Sequence, residues 1–384
     1  MKDLVNKSVL HKTLCKKDLE EDLDDIFESA QKYLNSLIIE KHREKKNKKR
    51  IKNNDDEKES ISLRSVMSDV QIANLPCWVR DNADEAIIIG RSKKVVQIPD
   101  GRKYHIDNRL NHMSGGEWTY SLNSVINTRY PSSGDGSYAY DIRKIHPSPK
   151  PPQLMADIIR FFTKPNELIL DYFMGVGGTL LGASLEGRRA IGIDLEQKYI
   201  DAYQAAAKKL NLQVQDCITG NSIELLKDGC KISSALKGEQ LSLILIDPPY
   251  GDMMARPKTG EAAKKKKSTE ATPFTNLETD LGNLDWPEFR HLFKQSIIDA
   301  ANLLRESGHI VVFIKDLQPK KHQTNLLHAD LINDLSSISN INYVGTKIWA
   351  QHGVQLYPYG YPYSFVSNQT HQYILIFKKV RGLK

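Results

Sequence analysis

The sequence is poor in the features that would place it early. Its four cysteines, Cys15, Cys77, Cys217 and Cys230, lie far apart, with no C-x-x-C pair and no Cys/His pattern of zinc-ligand spacing. Structural disulfides and a metal site are therefore not expected. No apolar run approaches the ~18 residues that a membrane helix needs, and the opening MKDLVNKSVLHKTLCKKDLEEDLDD lacks the apolar stretch of a signal peptide. A cytoplasmic protein without membrane contact is the expectation. No internal repeat is visible.

What is present is a chain of 384 residues, 40% hydrophobic, long enough for one large or two ordinary domains with a buried core. Its formal net charge of +7 suits a polyanionic partner, although many proteins without one are as basic. Residues 1–60 are polar and charged, and Leu23, Ile26, Phe27, Ala30, Tyr33, Leu34, Leu37 and Ile38 recur at helical spacing. They predict an amphipathic helix, acidic at its start and basic at its end, an order that complements the helix dipole. Its basic tail, Lys41 to Lys52, reads as a solvated helix end, a nucleic-acid arm, or a docking element for a second copy or a partner subunit.

Residues 61–145 hold short β-like runs such as EAIIIGRSKKVVQIPDGRKYHI, separated by Gly, Pro and Asp-Gly turn signals. Over 146–384 strands alternate with helices, the pattern of a mostly parallel sheet covered on both faces. This region predicts helices over 152–163, 178–187, 196–210 and 286–306, and strands at LILDYF, AIGIDL, LSLILID, HIVVFIK, YVGTKIW and QYILIFKK. Between LSLILID and the next helix, residues 251–283 have no apolar periodicity. They read as a long mobile loop, and loops of that length usually exist for function. Its Lys264, Lys265, Lys266 and Lys267 suit phosphate, with a solvated run as the plainer reading.

Two turns carry the chemistry. In ELILDYFMGVGGTLLGASLEGRRAIGIDL a strand runs through a glycine-rich turn into a helix and then a second strand ending in an acid. Gly175, Gly177 and Gly178 permit a sharp turn and close approach of a ligand, with free N–H groups at the helix start behind them. Asp194 follows Asp171 by 23 residues, the interval at which an acid on the second strand bonds ribose hydroxyls. The turn is not G-x-G-x-x-G. A carboxylate at its mouth repels a pyrophosphate but suits an ammonium group, which describes S-adenosylmethionine (AdoMet) better than NAD.

The second turn is LILIDPPYGD. Ligands in such sheets bind beyond the carboxyl ends of the strands, so Asp247 is expected to face the crevice shared by Asp171 and Asp194. Pro248 and Pro249 cannot continue a strand; they fix the backbone and leave carbonyls pointing into the site. An exocyclic base amine is a poor nucleophile because its lone pair is delocalised into the ring. Asp247 and the Pro248 carbonyl, accepting its two hydrogens, would pull the nitrogen toward tetrahedral geometry, while Tyr250 stacks on a base rotated out of its duplex.

DPPY together with DYFMGVGGT resembles the amino-group DNA methyltransferases that modify adenine N6 or cytosine N4, and HPSPKPPQLMADIIRFF resembles their additional AdoMet-binding segment. The resemblance spans residues 115–380 and implies a Rossmann-like α/β fold with a mixed, mostly parallel seven-stranded sheet. It implies catalytic roles for Asp247, Pro248, Pro249 and Tyr250. Cofactor contacts are implied for His146, Lys150, Pro151, Asp171, Phe173, Gly175, Gly177, Thr179, Asp194, Leu195, Asn221 and Ser222. Asn221 stands where the family more often has an acid, and DYF replaces the commoner Asp-Pro-Phe. The acid of DPPY tilts the target toward adenine, since cytosine members more often carry serine there.

Cofactor motifs precede DPPY here, the reverse of many relatives. That order implies a permuted arrangement in which residues 61–145 read double-stranded DNA, helped by the 251–283 loop; the alternative places recognition in that loop and the C-terminal stretch. Trp118, Arg129 and Arg143 are candidate nucleic-acid contacts, and Tyr357, Tyr359, Tyr361 and Tyr363 line a base pocket or pack a Pro/Tyr loop. The implied function is a site-specific, bacterial or phage-encoded DNA methyltransferase. The alternatives are cytosine-N4 methylation, methylation of tRNA guanine N2, and a nucleic-acid-binding subunit without catalysis.

Overall fold

The computed structural model describes residues 61–381 except 132, 135, 228–229, 252–272, 317–325, 352–353 and 355. The charged helix expected within residues 1–60 and the lysines Lys264 to Lys267 lie outside the described residues.

Residues 61–105 build a small antiparallel sheet, β1 (Ile61–Ser62), β2 (Ile87–Ile89), β3 (Val95–Gln97) and β4 (Lys103–His105), in that spatial order. Strands β2 and β3 alternate between buried and half-buried residues, as a sheet with one covered face requires. The covered face packs Ile88, Val96 and Tyr104 against Leu63, Ile72 and Val79. Asp100 closes the Asp-Gly turn by accepting the Arg102 N–H at 2.9 Å, with Gly101 at φ +88°.

The second sheet has eight strands: β5 (Val125–Ile126), β6 (Leu168–Asp171), β7 (Arg189–Asp194), β8 (Asp216–Thr219), β9 (Leu241–Ile246), β10 (Leu304–Ile314), β11 (Ile341–Ala350) and β12 (His371–Lys379). Their spatial order is β5-β11-β12-β10-β9-β6-β7-β8. Neighbours from β10 across to β8 are parallel, and β12 is antiparallel to both β10 and β11. This is the Rossmann-like, mostly parallel arrangement expected. Strands β6 and β9 are buried at every residue, which is why they read as unbroken apolar runs. Alternate side chains serve two cores. One joins Leu170, Ile244 and Ile246 to the helix Trp286–Leu303, and the other joins Ile169, Leu243 and Leu245 to the helices Pro152–Phe162 and Gly178–Leu185.

Three features differ from the sequence expectation. The sheet has an eighth strand, β5, which pairs parallel to Ile348 and Trp349 of β11. It is pinned by the Ile348 N–H on the Ser124 carbonyl at 2.7 Å and by Lys347 Nζ on the Asn123 carbonyl at 2.7 Å. Residue 145 is accordingly no break: residues 61–384 cluster as one compact unit, and the segment after β4 already belongs to the larger sheet. The helix predicted to residue 306 stops at Leu303, where β10 begins and its pairing with β9 slips between Leu304 and His309.

Among the described residues no helix is long and apolar enough to cross a membrane, and no group of three or more His, Cys, Asp or Glu is placed to hold a metal.

Candidate active site

Strand β6 sits between β7 and β9; the chain winds outward from it through β7 to β8 and then returns to β9 on its other side, so a crevice opens at the carboxyl ends where the direction reverses. Three acids stand there. Asp171 closes β6, Asp194 closes β7 and Asp247 directly follows β9. The cleft they line encloses about 1010 Å³, the open solvent at its mouth included.

The turn after β6 is built on two left-handed glycines, Gly175 at φ +49° and Gly177 at φ +73°. Gly177 does not line the cleft: a Cβ there would fall 2.1 Å from the Tyr203 ring, whose hydroxyl accepts the Gln215 N–H at 2.8 Å. At Gly178 a Cβ would fall 2.9 Å from the Lys150 carbonyl oxygen. The HPSPKPP segment therefore packs directly on the turn. Arg143, 1% exposed, ties the two together through Nε on the Val176 carbonyl at 3.1 Å and Nη2 on the Lys150 carbonyl at 2.6 Å. Its expected contact with nucleic acid is corrected on that ground, since a guanidinium committed to buried carbonyls is not available to phosphate. Tyr172, where the commoner motif has proline, pairs its hydroxyl with Ser296 at 3.1 Å.

Burial raises the Asp171 carboxyl to about 7, although the Thr179 hydroxyl and the Phe173 N–H pull it down; the negative fields of Asp247 and Asp194 add to the rise. Burial likewise pushes Asp194 up to about 6, opposed by hydrogen bonds from the Glu196 N–H at 2.9 Å and the Gly175 N–H at 2.8 Å. His146 is driven down to about 3, chiefly by burial and then by Lys150, and is neutral. Its ring stacks on Phe274 at 5.3 Å and backs Gly175, so it serves as a wall of the cleft.

The turn after β9 is wired differently. Asp247 Oδ2 lies 2.7 Å from Lys150 Nζ, and Asp247 Oδ1 accepts the Tyr250 hydroxyl at 2.8 Å. Lys150 also donates to Gln372 of β12 at 2.8 Å. Tyr250 is 7% exposed and packs in the core, and its hydroxyl is raised well above the ordinary range by burial and by Asp247. In this conformation it orients the carboxylate.

The structure gathers His146, Lys150, Asp171, Phe173, Gly175, Thr179, Asp194, Leu195, Asn221 and Ser222 around one cleft with Asp247, Pro248, Pro249 and Tyr250. Pro151 lies off it, as the N-cap of the helix Pro152–Phe162. Residues 251–283 read from the sequence as a loop assisting DNA recognition; its described end instead walls the cleft, with Phe274, Thr275, Asp280 and Leu281, and sequence reasoning did not single out Tyr199, whose hydroxyl holds the Phe274 carbonyl at 3.1 Å. The only signal was an acid and a glycine inside a stretch without periodicity. Of the candidate nucleic-acid contacts, Trp118 packs on Phe161 at 5.1 Å and Arg129 is exposed. Tyr361, Tyr363 and Phe365 stand 81%, 94% and 92% exposed between β11 and β12, whose facing ends lie at the same edge of the sheet as the cleft.

A family model described as DNA methylase matches residues 11–206, just over half of the chain. The type II methyltransferase M.HinfI of Haemophilus influenzae is 38% identical over 74 residues, 19% of this chain and 21% of that protein. The type II methyltransferase M1.MboII of Moraxella bovis is 29% identical over 131 residues, 34% of this chain and 44% of that one. The chain thus spans less than half the length of either curated relative. Among solved structures, TrmN from Thermus thermophilus aligns at a TM-score of 0.37 and 16% identity, over 60% of this chain and 49% of that one.

Proposed function

Because this chain belongs to the DNA methylase family of N6 and N4 methyltransferases, we propose that it methylates an exocyclic amine of a base in double-stranded DNA, adenine N6 in preference to cytosine N4, using AdoMet. The observation that carries this reading is a half-buried carboxylate, Asp247, held at the mouth of a cleft whose deeper wall is the acid-rich glycine turn.

The cleft fits the cofactor. Asp171 accepts the Phe173 N–H at 3.1 Å and has two further carboxylates for neighbours, so its charge is unbalanced and suits an ammonium group. Asp194 ends β7, where a ribose is held in nucleotide-binding sheets. The bound AdoMet supplies an electrophilic methyl on a sulfonium.

The chain supplies the acceptor geometry. Each Asp247 oxygen keeps a second lone pair after bonding Lys150 or Tyr250. Asp247 and the Pro248 carbonyl accept the two hydrogens of the amine and aim its lone pair. With the methyl supplied by AdoMet, Asp247 would be the acceptor for the proton the amine sheds. The acid at 247, rather than serine, is the ground for preferring adenine. Tyr361, Tyr363 and Phe365 offer stacking surface for an unpaired base.

The deciding experiment incubates the protein with labelled AdoMet and unmethylated genomic DNA, followed by nucleoside mass spectrometry. N6-methyladenine is expected. N4-methylcytosine would keep the reaction and change the base, and methyl transfer confined to tRNA would overturn the reading.

A further inference from the structure

The segment closing the cleft contains a carboxylate with half of its hydrogen bonding unused. Asp280 is 4% exposed. Its Oδ1 accepts the Gly282 N–H at 2.8 Å and caps the turn Leu281–Asn283. Among the described residues its Oδ2, buried in the cleft wall, accepts no hydrogen bond of good geometry, with Thr275 the nearby weak donor. A buried acceptor without a donor is costly, and a charged one more so. The segment is fixed in place: Gly282 packs on Pro249 of the DPPY turn and on Phe274, whose ring stacks on His146.

Position narrows the missing donor. The segment is tied to the helix Gln197–Lys209 that follows β7 by the Tyr199 hydroxyl on the Phe274 carbonyl at 3.1 Å, and Asp280 feels the charges of Asp194 and Glu196, which puts it toward the β7 side of the cleft, the ribose side of such sheets. Both oxygens of Asp194 already hold backbone N–H groups, from Gly175 and Glu196. An acceptor with open capacity across from them suits a vicinal diol, which brings two donors. We propose that Asp280 is a cofactor-binding residue whose free carboxylate oxygen accepts a hydrogen bond from a ribose hydroxyl, so that the segment behind the DPPY turn closes on the nucleoside. This rests on the AdoMet reading above.

The test is calorimetric titration of the full chain with S-adenosylhomocysteine and with its 2′,3′-dideoxyribose analogue, for wild type, Asp280→Ala and Asp280→Asn. Asp280→Asn retains an oxygen for the Gly282 cap, so it separates the cap from the second acceptor. Both variants are expected to bind S-adenosylhomocysteine about 10-fold more weakly and the dideoxy analogue within about 2-fold of wild type. Full affinity in Asp280→Asn overturns the proposal by reducing Asp280 to a cap. Equal losses for both ligands overturn it in favour of a general packing role or a contact to the adenine amine. A wild-type protein that binds neither ligand removes the AdoMet reading and this inference with it, whereas binding that is indifferent to both substitutions removes the inference alone.

Discussion

The turns after β6 and β9 begin alike, each with an acid at the end of a buried parallel strand, and differ in what meets that acid. Asp171 has only neutral donors and two further carboxylates around it, and burial holds its carboxyl near 7. Asp247 is met by Lys150 and by the Tyr250 hydroxyl within 2.8 Å. One acid awaits a positive ligand, and the other is already charge-balanced and oriented. On the proposed function, neighbouring strand ends divide the work between binding the cofactor and aiming the nucleophile, and Lys150 with the Tyr250 hydroxyl marks the difference.

The sharpest way to break this division is Asp247→Ala, for which methyl transfer should fall by about 10³-fold or more while AdoMet affinity stays within about 3-fold of wild type. Loss of cofactor binding in an equilibrium titration would show that the two turns are not separable. Gly177→Ala probes whether the first turn must be rigid. Its Cβ would enter the Tyr203 ring at a backbone position of φ +73°, and a stability loss of about 3 kcal/mol is expected in denaturant unfolding. An unchanged midpoint would mean that the turn relaxes freely.

Asp171→Asn should weaken AdoMet by about 10- to 100-fold with a smaller effect on turnover at saturation. The same residue predicts a pH dependence. Its folded pKa lies above the unfolded value, so the ligand-free protein draws stability from the neutral carboxyl, fully below the unfolded pKa of 3.8, and loses it as pH rises through about 7. A cationic ligand needs the ionised form. AdoMet affinity should therefore rise with pH up to about 7 and then level, and Asp171→Asn should flatten that rise; a flat wild-type profile would count against the assignment. The smallest effect is expected for Lys150→Met, about 10-fold in turnover with cofactor affinity retained. A change confined to cofactor affinity would place Lys150 with the first turn instead of the second.

Both turns were legible because each ends an apolar run with an acid and then breaks it with Gly or Pro, local signals that need no tertiary knowledge. The mostly parallel sheet followed from alternation of strands and helices. What escaped was set by distant partners. Lys150 meets Asp247 across 97 residues, and Arg143 looks like a surface cation until its carbonyl partners are known. Asp280 acquires meaning only once Gly282 is seen against Pro249. Strands as short as β5 and β8, with exposed or half-buried residues, carry no periodicity to read, and β5 exists because Lys347 and Ile348 of β11 hold it.

The pairing of β11 with β12 runs to Ala350 opposite His371, and Gln372, one residue further in, holds the lysine that balances Asp247. The exposed aromatic segment between the two strands is therefore anchored by the closed ladder at its base, with Asn368 bridging Tyr357 inside it. Such an insert can be lengthened, shortened or replaced without shifting the reactive carboxylate. On the proposed function, the stacking surface offered to an unpaired base varies independently of the carboxylate that aims it.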